Sequence, residues 1–174
     1  MTSSTLLGRL ADRDRALFAR CLVPPAAHRT RRLAWTVITH LGGVSCSVLA
    51  ATLPIALGGP LADAARQTLA ILVCSHVVVQ LVKRTVSRPR PSSAMDCATY
   101  VVEPDRFSFP SGHAAAAMAV AIGYALAFPS LALPLVLAAL LVGASRVVLG
   151  VHYPGDVIVG QVISALTALA LRII

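Results

Sequence analysis

Acidic residues are scarce in this chain: seven Asp and Glu stand against 15 Lys and Arg, a net charge of +8 over 174 residues. No carboxylate cluster that would hold magnesium is spelled anywhere, so no metal or other cofactor is expected. The four cysteines, Cys21, Cys46, Cys74 and Cys97, lack paired metal-ligand spacing, and two fall inside apolar runs. They read as reduced packing residues, not as a disulfide framework. No recognisable nucleic-acid motif accompanies the arginines, which flank apolar segments instead; lipid headgroups or a phosphorylated substrate are the expected partners. No apolar core of signal-peptide length precedes the first hydrophobic run, so no cleavage is expected.

Apolar sequence is what the chain has in abundance. Hydrophobic residues make up 57% and mean hydropathy is +0.79, beyond what a soluble core needs, in runs near the length that crosses a bilayer. The fold class expected is an all-α integral membrane bundle of about five transmembrane helices. They cover roughly Leu33 to Leu53, Ala64 to Val82, His113 to the residue before Pro129, Leu131 to Ala144, and Val157 to the C-terminus. Pro134 is a candidate kink in the fourth. Residues 1–32 alternate charge with apolar positions. Leu6, Leu7, Leu10, Leu17, Phe18 and Cys21 fall near one helical face, which suggests an amphipathic helix on the membrane surface. A basic tail ending at Pro24 and Pro25 is the competing reading. The division expected is 1–32 as a basic N-terminal segment and 33–174 as the transmembrane domain.

Because consecutive membrane helices alternate direction, Lys83, His113, Arg146 and Asp156 all fall on one membrane face. Three polar segments converge there. The first, KRTVSRPRP from Lys83 to Pro91, sets Lys83 at a helix end and Arg90 between two rigid prolines, presenting two cations to one point. Arg84 and Arg88 read as headgroup contacts. In the second, FPSGH, Pro110 and Gly112 bracket Ser111; the hydroxyl and the backbone N–H groups at this helix start suit an anion. His113 is placed there to give a proton to a departing oxygen. The third, SRVVLGVHYPGD, offers Arg146 as a two-pronged phosphate anchor and His152 four residues before Asp156, a nucleophile or base with its orienting partner. Each segment alone also fits an ordinary charged loop.

Lys83 with six residues before Arg90-Pro91, PSGH at 110–113, and Ser145-Arg146 with five residues before His152 and three before Asp156 form one three-part signature. It resembles that of the type-2 phosphatidic acid phosphatases, a superfamily that also includes vanadium haloperoxidases. The resemblance implies a metal-independent membrane lipid phosphatase hydrolysing a phosphomonoester or pyrophosphate of a polyprenyl or glycerophospholipid. It also implies the roles. His152 attacks phosphorus to give a phosphohistidine, Asp156 orients the ring, and His113 protonates the leaving group, while Lys83, Arg90, Ser111, Gly112 and Arg146 hold the phosphate. A lipid phosphotransferase with the same intermediate and a non-catalytic anion-binding membrane protein are the alternatives. The same resemblance leaves the choice among lipids open.

Other polar residues have plainer readings. His40, His76 and Gln80 are expected to form interhelical hydrogen bonds, with a site-lining position as the alternative for His76. Asp96, Glu103 and Asp105 in the long loop read as solvated or paired with Arg106. Location in the inner or plasma membrane is expected. Apart from the signature residues, the motif face carries Arg20, Arg29, Arg31, Arg32, Arg84, Arg88 and Arg106 against Arg66 and Arg172 on the other, a bias that points the site to the cytoplasm.

Overall fold

The computed structural model describes residues 6–24, 26–95, 97–103 and 105–173; Pro25, Asp96 and the side chain of Leu7 lie outside the described residues. The elements are α1 (Leu6–Cys21), α2 (Arg29–His40), α3 (Val44–Thr52), α4 (Gly59–Val86), α5 (Pro91–Met95), α6 (Gly112–Ala127), α7 (Ala132–Val148) and α8 (Pro154–Ile173). Short 3-10 turns at Leu53–Leu57 and Pro129–Leu131 join them.

Among the described residues, three helical stretches are long and apolar enough to cross a membrane: Gly59–Val86, Pro129–Val148 and Pro154–Arg172. The helix expected from Leu33 to Leu53 is instead a broken pair, α2 and α3 with its following turn, bent by 42°. The break falls at Gly42-Gly43, against the start of α6. A Cβ on Gly42 would stand 2.8 Å from the carbonyl oxygen of His113 and 2.5 Å from Cγ1 of Val142, so a straight helix with side chains there would collide with α6 and α7. Counting the bent pair as one span gives four crossings by length and composition, because α6 has only 16 residues. Pro134 falls in the first turn of α7, where its missing N–H has no intrahelical partner to lose.

The short helix α6 is the centre of the bundle. Its buried face is Ala114, Ala115, Ala117, Met118, Ala119, Ala121 and Gly123. Side chains this small let α4, α7 and α8 pack closely around it. Polar groups inside are satisfied across helices: the Ser164 hydroxyl donates to the Ala115 carbonyl at 2.7 Å, and Tyr124 donates to that of Ala50 at 2.6 Å. Outward, α4 exposes Val73, Val77 and Leu81, α7 exposes Leu133, Leu137 and Leu140, and α8 exposes Ile158, Val162 and Leu166. An apolar exterior over satisfied helical backbones is the surface of an integral membrane protein.

Two packing expectations are corrected. Cys46 and Cys74 are exposed on the bundle's exterior. His76 and Gln80 bond to each other at 3.2 Å one turn apart on α4, and His40 is exposed at the end of α2, so none of the three forms the expected interhelical bond. Helix α1 lies against the motif end of the bundle: Phe18 is buried edge-on to Tyr153, with ring centroids 5.4 Å apart, and the Val23 N–H donates to the Val148 carbonyl at 3.0 Å.

Where α8 passes the start of α6, a Cβ on Gly160 would come within 2.5 Å of the Ser111 carbonyl oxygen. Gly160→Ala is therefore expected to destabilise the bundle by about 1–3 kcal/mol, seen as a lowered melting temperature in detergent. An unchanged melting temperature would contradict this close approach.

Candidate active site

Helix α4 ends because Ser87 turns into the left-handed region at φ 49°, and the chain leaves as Arg88-Pro89-Arg90-Pro91. The far end of the long loop runs beside it. Pro89 pairs with Phe107 in an isolated antiparallel bridge, and the Ser108 N–H donates to the Arg88 carbonyl at 2.8 Å. This pairing carries Asp105 to the first motif. Lys83 Nζ donates to Asp105 Oδ2 at 2.9 Å, Arg90 Nη2 to Oδ1 at 2.9 Å, and Arg90 Nε to its carbonyl at 2.7 Å. The expectation that Asp105 is solvated or paired with Arg106 is thus corrected. Burial raises the Asp105 pKa, but hydrogen bonds and charge from Lys83 and Arg90 outweigh it and hold the carboxyl below its ordinary range. Glu103 accepts from the Ser92 hydroxyl at 2.7 Å.

The third motif is fixed from both sides of its loop. Arg90 Nη1 donates to the Val151 carbonyl at 2.9 Å and stands 3.3 Å from His152 Nε2. A guanidinium can only donate, so Nε2 faces it with a lone pair and the neutral ring carries its proton on Nδ1. Nδ1 lies 3.6 Å from Asp156 Oδ2 and has no hydrogen-bond partner at that distance. Asp156 Oδ2 accepts the Tyr153 N–H at 2.9 Å, closing the turn that opens α8. Burial, with the charges of Arg146 and Arg90, depresses His152 from its ordinary 6.5 to about 4, against the opposing pull of Asp156.

Arg146 is buried in the last turn of α7, where Nη1 donates to the Thr39 hydroxyl at 2.7 Å while Nε and Nη2 have no partner. Ser111 caps α6, its hydroxyl accepting from the Ala114 N–H at 3.5 Å, and its own N–H is committed to the Asp156 carbonyl at 2.9 Å. A cavity of about 540 Å³ opens before these groups. Lys83, Arg90, Gly112, His113 and His152 stand on its wall with Asp105; Ser111, Arg146 and Asp156 are buried outside that wall. From this cationic end the cavity runs along α4 past Gln80, His76, Val73 and Leu69, with Val44 and Val48 of α3 opposite.

All eight residues expected from the sequence therefore gather at one end of the bundle. Four others escaped it: Asp105, Thr39, and the pair Asp14 and Arg88. Arg88, expected to contact headgroups, instead lies 2.7 Å from Asp156 and 2.8 Å from Asp14. Nothing in local spacing marks any of the four, since each acquires its partner only through a contact between distant segments.

The bundle sets Lys83, Arg90 and His152 on the wall of a partly apolar cavity, with Asp156 buried behind the imidazole, and by class it is a membrane lipid phosphatase. The chain belongs to the PAP2 superfamily, whose sequence profile matches residues 64–174. Decaprenylphosphoryl-5-phosphoribose phosphatase of Mycolicibacterium smegmatis is 38% identical to it over 132 residues, 71% of this chain and 67% of that protein. Lipid A 1-phosphatase of Rhizobium johnstonii is 34% identical over 108 residues, 59% of this chain and 44% of that protein. The crystal structure of the first transmembrane PAP2 type phosphatidylglycerolphosphate phosphatase, from Bacillus subtilis, is similar with a TM-score of 0.77 at 26% identity, over 94% of this chain and 85% of that one. The chain thus spans two thirds of the first relative and less than half of the second.

The buried neutral ring of His152 makes stability depend on pH. An unfolded histidine takes up its proton near 6.5 and the folded one near 4. Its contribution is therefore complete above the unfolded value and is lost as pH falls from 6.5 toward 4. Nitrogen-15 NMR of the ring is expected to show a midpoint near 4; a midpoint at the ordinary value would contradict the buried neutral ring.

Proposed function

We propose that this enzyme hydrolyses the phosphomonoester or diphosphate end of a polyprenyl or glycerophospholipid substrate through a phosphohistidine at His152. The observation that carries the reading is the cavity, cationic at one end and apolar along α4, which matches a phosphorylated head joined to a hydrocarbon tail. Its wall runs from Leu69 to Lys83, about 21 Å at the helical rise. The relatives support a lipid substrate, being named for a decaprenylphosphoryl sugar and for lipid A.

In this mechanism Nε2 of His152 attacks phosphorus with its lone pair, and the bond to the leaving oxygen breaks as His113 supplies a proton. Asp156 stabilises the imidazolium. Water then attacks phosphorus as His113 takes a proton from it, the P–N bond breaks with its electron pair returning to Nε2, and inorganic phosphate leaves. Lys83, Arg90 and Arg146, with Ser111 and the Gly112 N–H, hold the oxygens on which negative charge spreads in the transition state. His152→Ala is expected to lower kcat by about a thousandfold or more with the fold retained, and Asp156→Asn by about a hundredfold. Release of inorganic phosphate from a panel of polyprenyl phosphates, polyprenyl diphosphates and phosphatidate measures this and selects the substrate. Activity of His152→Ala within tenfold of wild type would reject the covalent route.

The site is proposed to face the cytoplasm from the inner or plasma membrane, with α1 on the membrane surface. The arginine bias supports this orientation even with Arg88 removed from the count, because its charge is committed to Asp14 and Asp156. Ser93 is exposed beside the site. Ser93→Cys, with the native cysteines replaced, should resist a membrane-impermeant thiol reagent in intact cells until they are permeabilised. Rapid labelling of intact cells would reverse the orientation.

A further inference from the structure

Arg88 and Asp14 belong neither to the cations around the cavity nor to the reacting pair, yet they are bonded to it. Arg88 Nη1 lies 2.7 Å from Asp156 Oδ1 and 2.8 Å from Asp14 Oδ2, and its guanidinium sits 3.9 Å over the Tyr153 ring. Asp14 uses its other oxygen to accept the Gly155 N–H at 2.8 Å, in the first turn of α8. Asp156 is fully buried. Its Oδ2 faces the Tyr153 N–H and the imidazole, and its Oδ1 faces Arg88. A carboxylate without solvent needs a counter-charge, and its two oxygens must be told apart if one of them is to orient a ring. Arg88 supplies both: it sets a positive charge, shared with Asp14, against the buried carboxylate, and it pins Oδ1, which leaves Oδ2 turned toward His152.

We propose that Arg88 and Asp14 are positioning residues, through which the docking of α1 holds Asp156 in the orientation that sets the His152 ring. The inference rests on the reading of His152 as nucleophile and Asp156 as its orienting partner. Asp14 closes the assembly, because it fixes the guanidinium and the start of α8 together from a helix that precedes the family-matched region. Phe18 adds the apolar half of the same contact by packing on Tyr153, one turn along α1 from Asp14.

The experiment measures kcat and KM separately on dioctanoyl phosphatidate dispersed in detergent, for full-length variants whose melting temperature and elution volume match wild type. Arg88→Gln is expected to lose about tenfold or more in kcat with KM within about twofold, because Asp156 acts on the chemical step alone. Arg88→Lys, which keeps the charge, should recover part of that loss. Asp14→Asn should lose less than Arg88→Gln, and in the Arg88→Gln background it should add no further loss, since both act through one carboxylate. A loss that falls in KM, independent multiplying losses, or wild-type kcat in Arg88→Gln would each overturn the proposal. Asp156→Asn distinguishes the two levels. Wild-type kcat there would bring down the underlying mechanism as well, whereas an impaired Asp156→Asn beside an unaffected Arg88→Gln would remove the positioning role alone.

Discussion

Positive charge held out of water is the constraint on which the rest of this structure depends. Lys83, Arg90 and Arg146 are each at most 5% exposed, and bringing even one cation into a low-dielectric interior is costly unless it is paired. Asp105 neutralises part of the charge and is shared between the first two. Arg146 receives only a hydroxyl, from Thr39, and two of its nitrogens have no partner. Around the cavity the cations therefore outnumber their carboxylate. On the proposed function, a phosphoryl group with about two negative charges is the complement of such a site, and its oxygens would meet donors that are already buried and oriented. The arrangement costs the protein stability and gives the bound anion donors that need little reorganisation.

The bundle carries that cost because its centre is made for close approach. The alanine-rich α6 lets α4, α7 and α8 converge on one short helix. Their ends then meet where α6 begins. The Ser111 N–H bonds to the Asp156 carbonyl, which ties the second motif to the third through backbone alone. The bend at Gly42-Gly43 belongs to the same design: by yielding to α6, the first hydrophobic run brings Thr39 to Arg146 and lines the cavity with α3.

The membrane class, the approximate positions of α4, α6, α7 and α8, and the clustering of all eight expected site residues were legible in the sequence. Hydropathy and alternation of direction depend on little else, and Lys83, Arg90, His113, Arg146, His152 and Asp156 sit at helix ends that this alternation brings together. What escaped had no local signal. The broken first span required knowing what packs against Gly42. The pairing of Asp105 required the bridge between Pro89 and Phe107, since a lone aspartate in a long loop reads as solvated until that bridge forms. Arg88 read as a headgroup contact because basic residues at membrane edges usually are; its commitment to Asp14 and Asp156 depends on contacts 74 and 68 residues away in sequence.

The imidazole of His152 shows how these separate contacts become one chemical device. Arg90 meets Nε2 and Asp156 faces Nδ1, so the ring lies between a cation and an anion and its two nitrogens are unequal before any substrate binds. On the proposed mechanism this polarity has a direction. The lone pair on Nε2 points at the cations that hold phosphorus, and the proton on Nδ1 points at the carboxylate that balances the imidazolium once the P–N bond forms. Asp156 can play that part only if its own charge is held without being quenched. Arg88 bonds the oxygen remote from the ring, and so it supports the carboxylate while leaving the other oxygen to the histidine. The two arginines therefore have opposite tasks on one reacting group: Arg90 faces the nitrogen that attacks, and Arg88 steadies the carboxylate behind the nitrogen that does not.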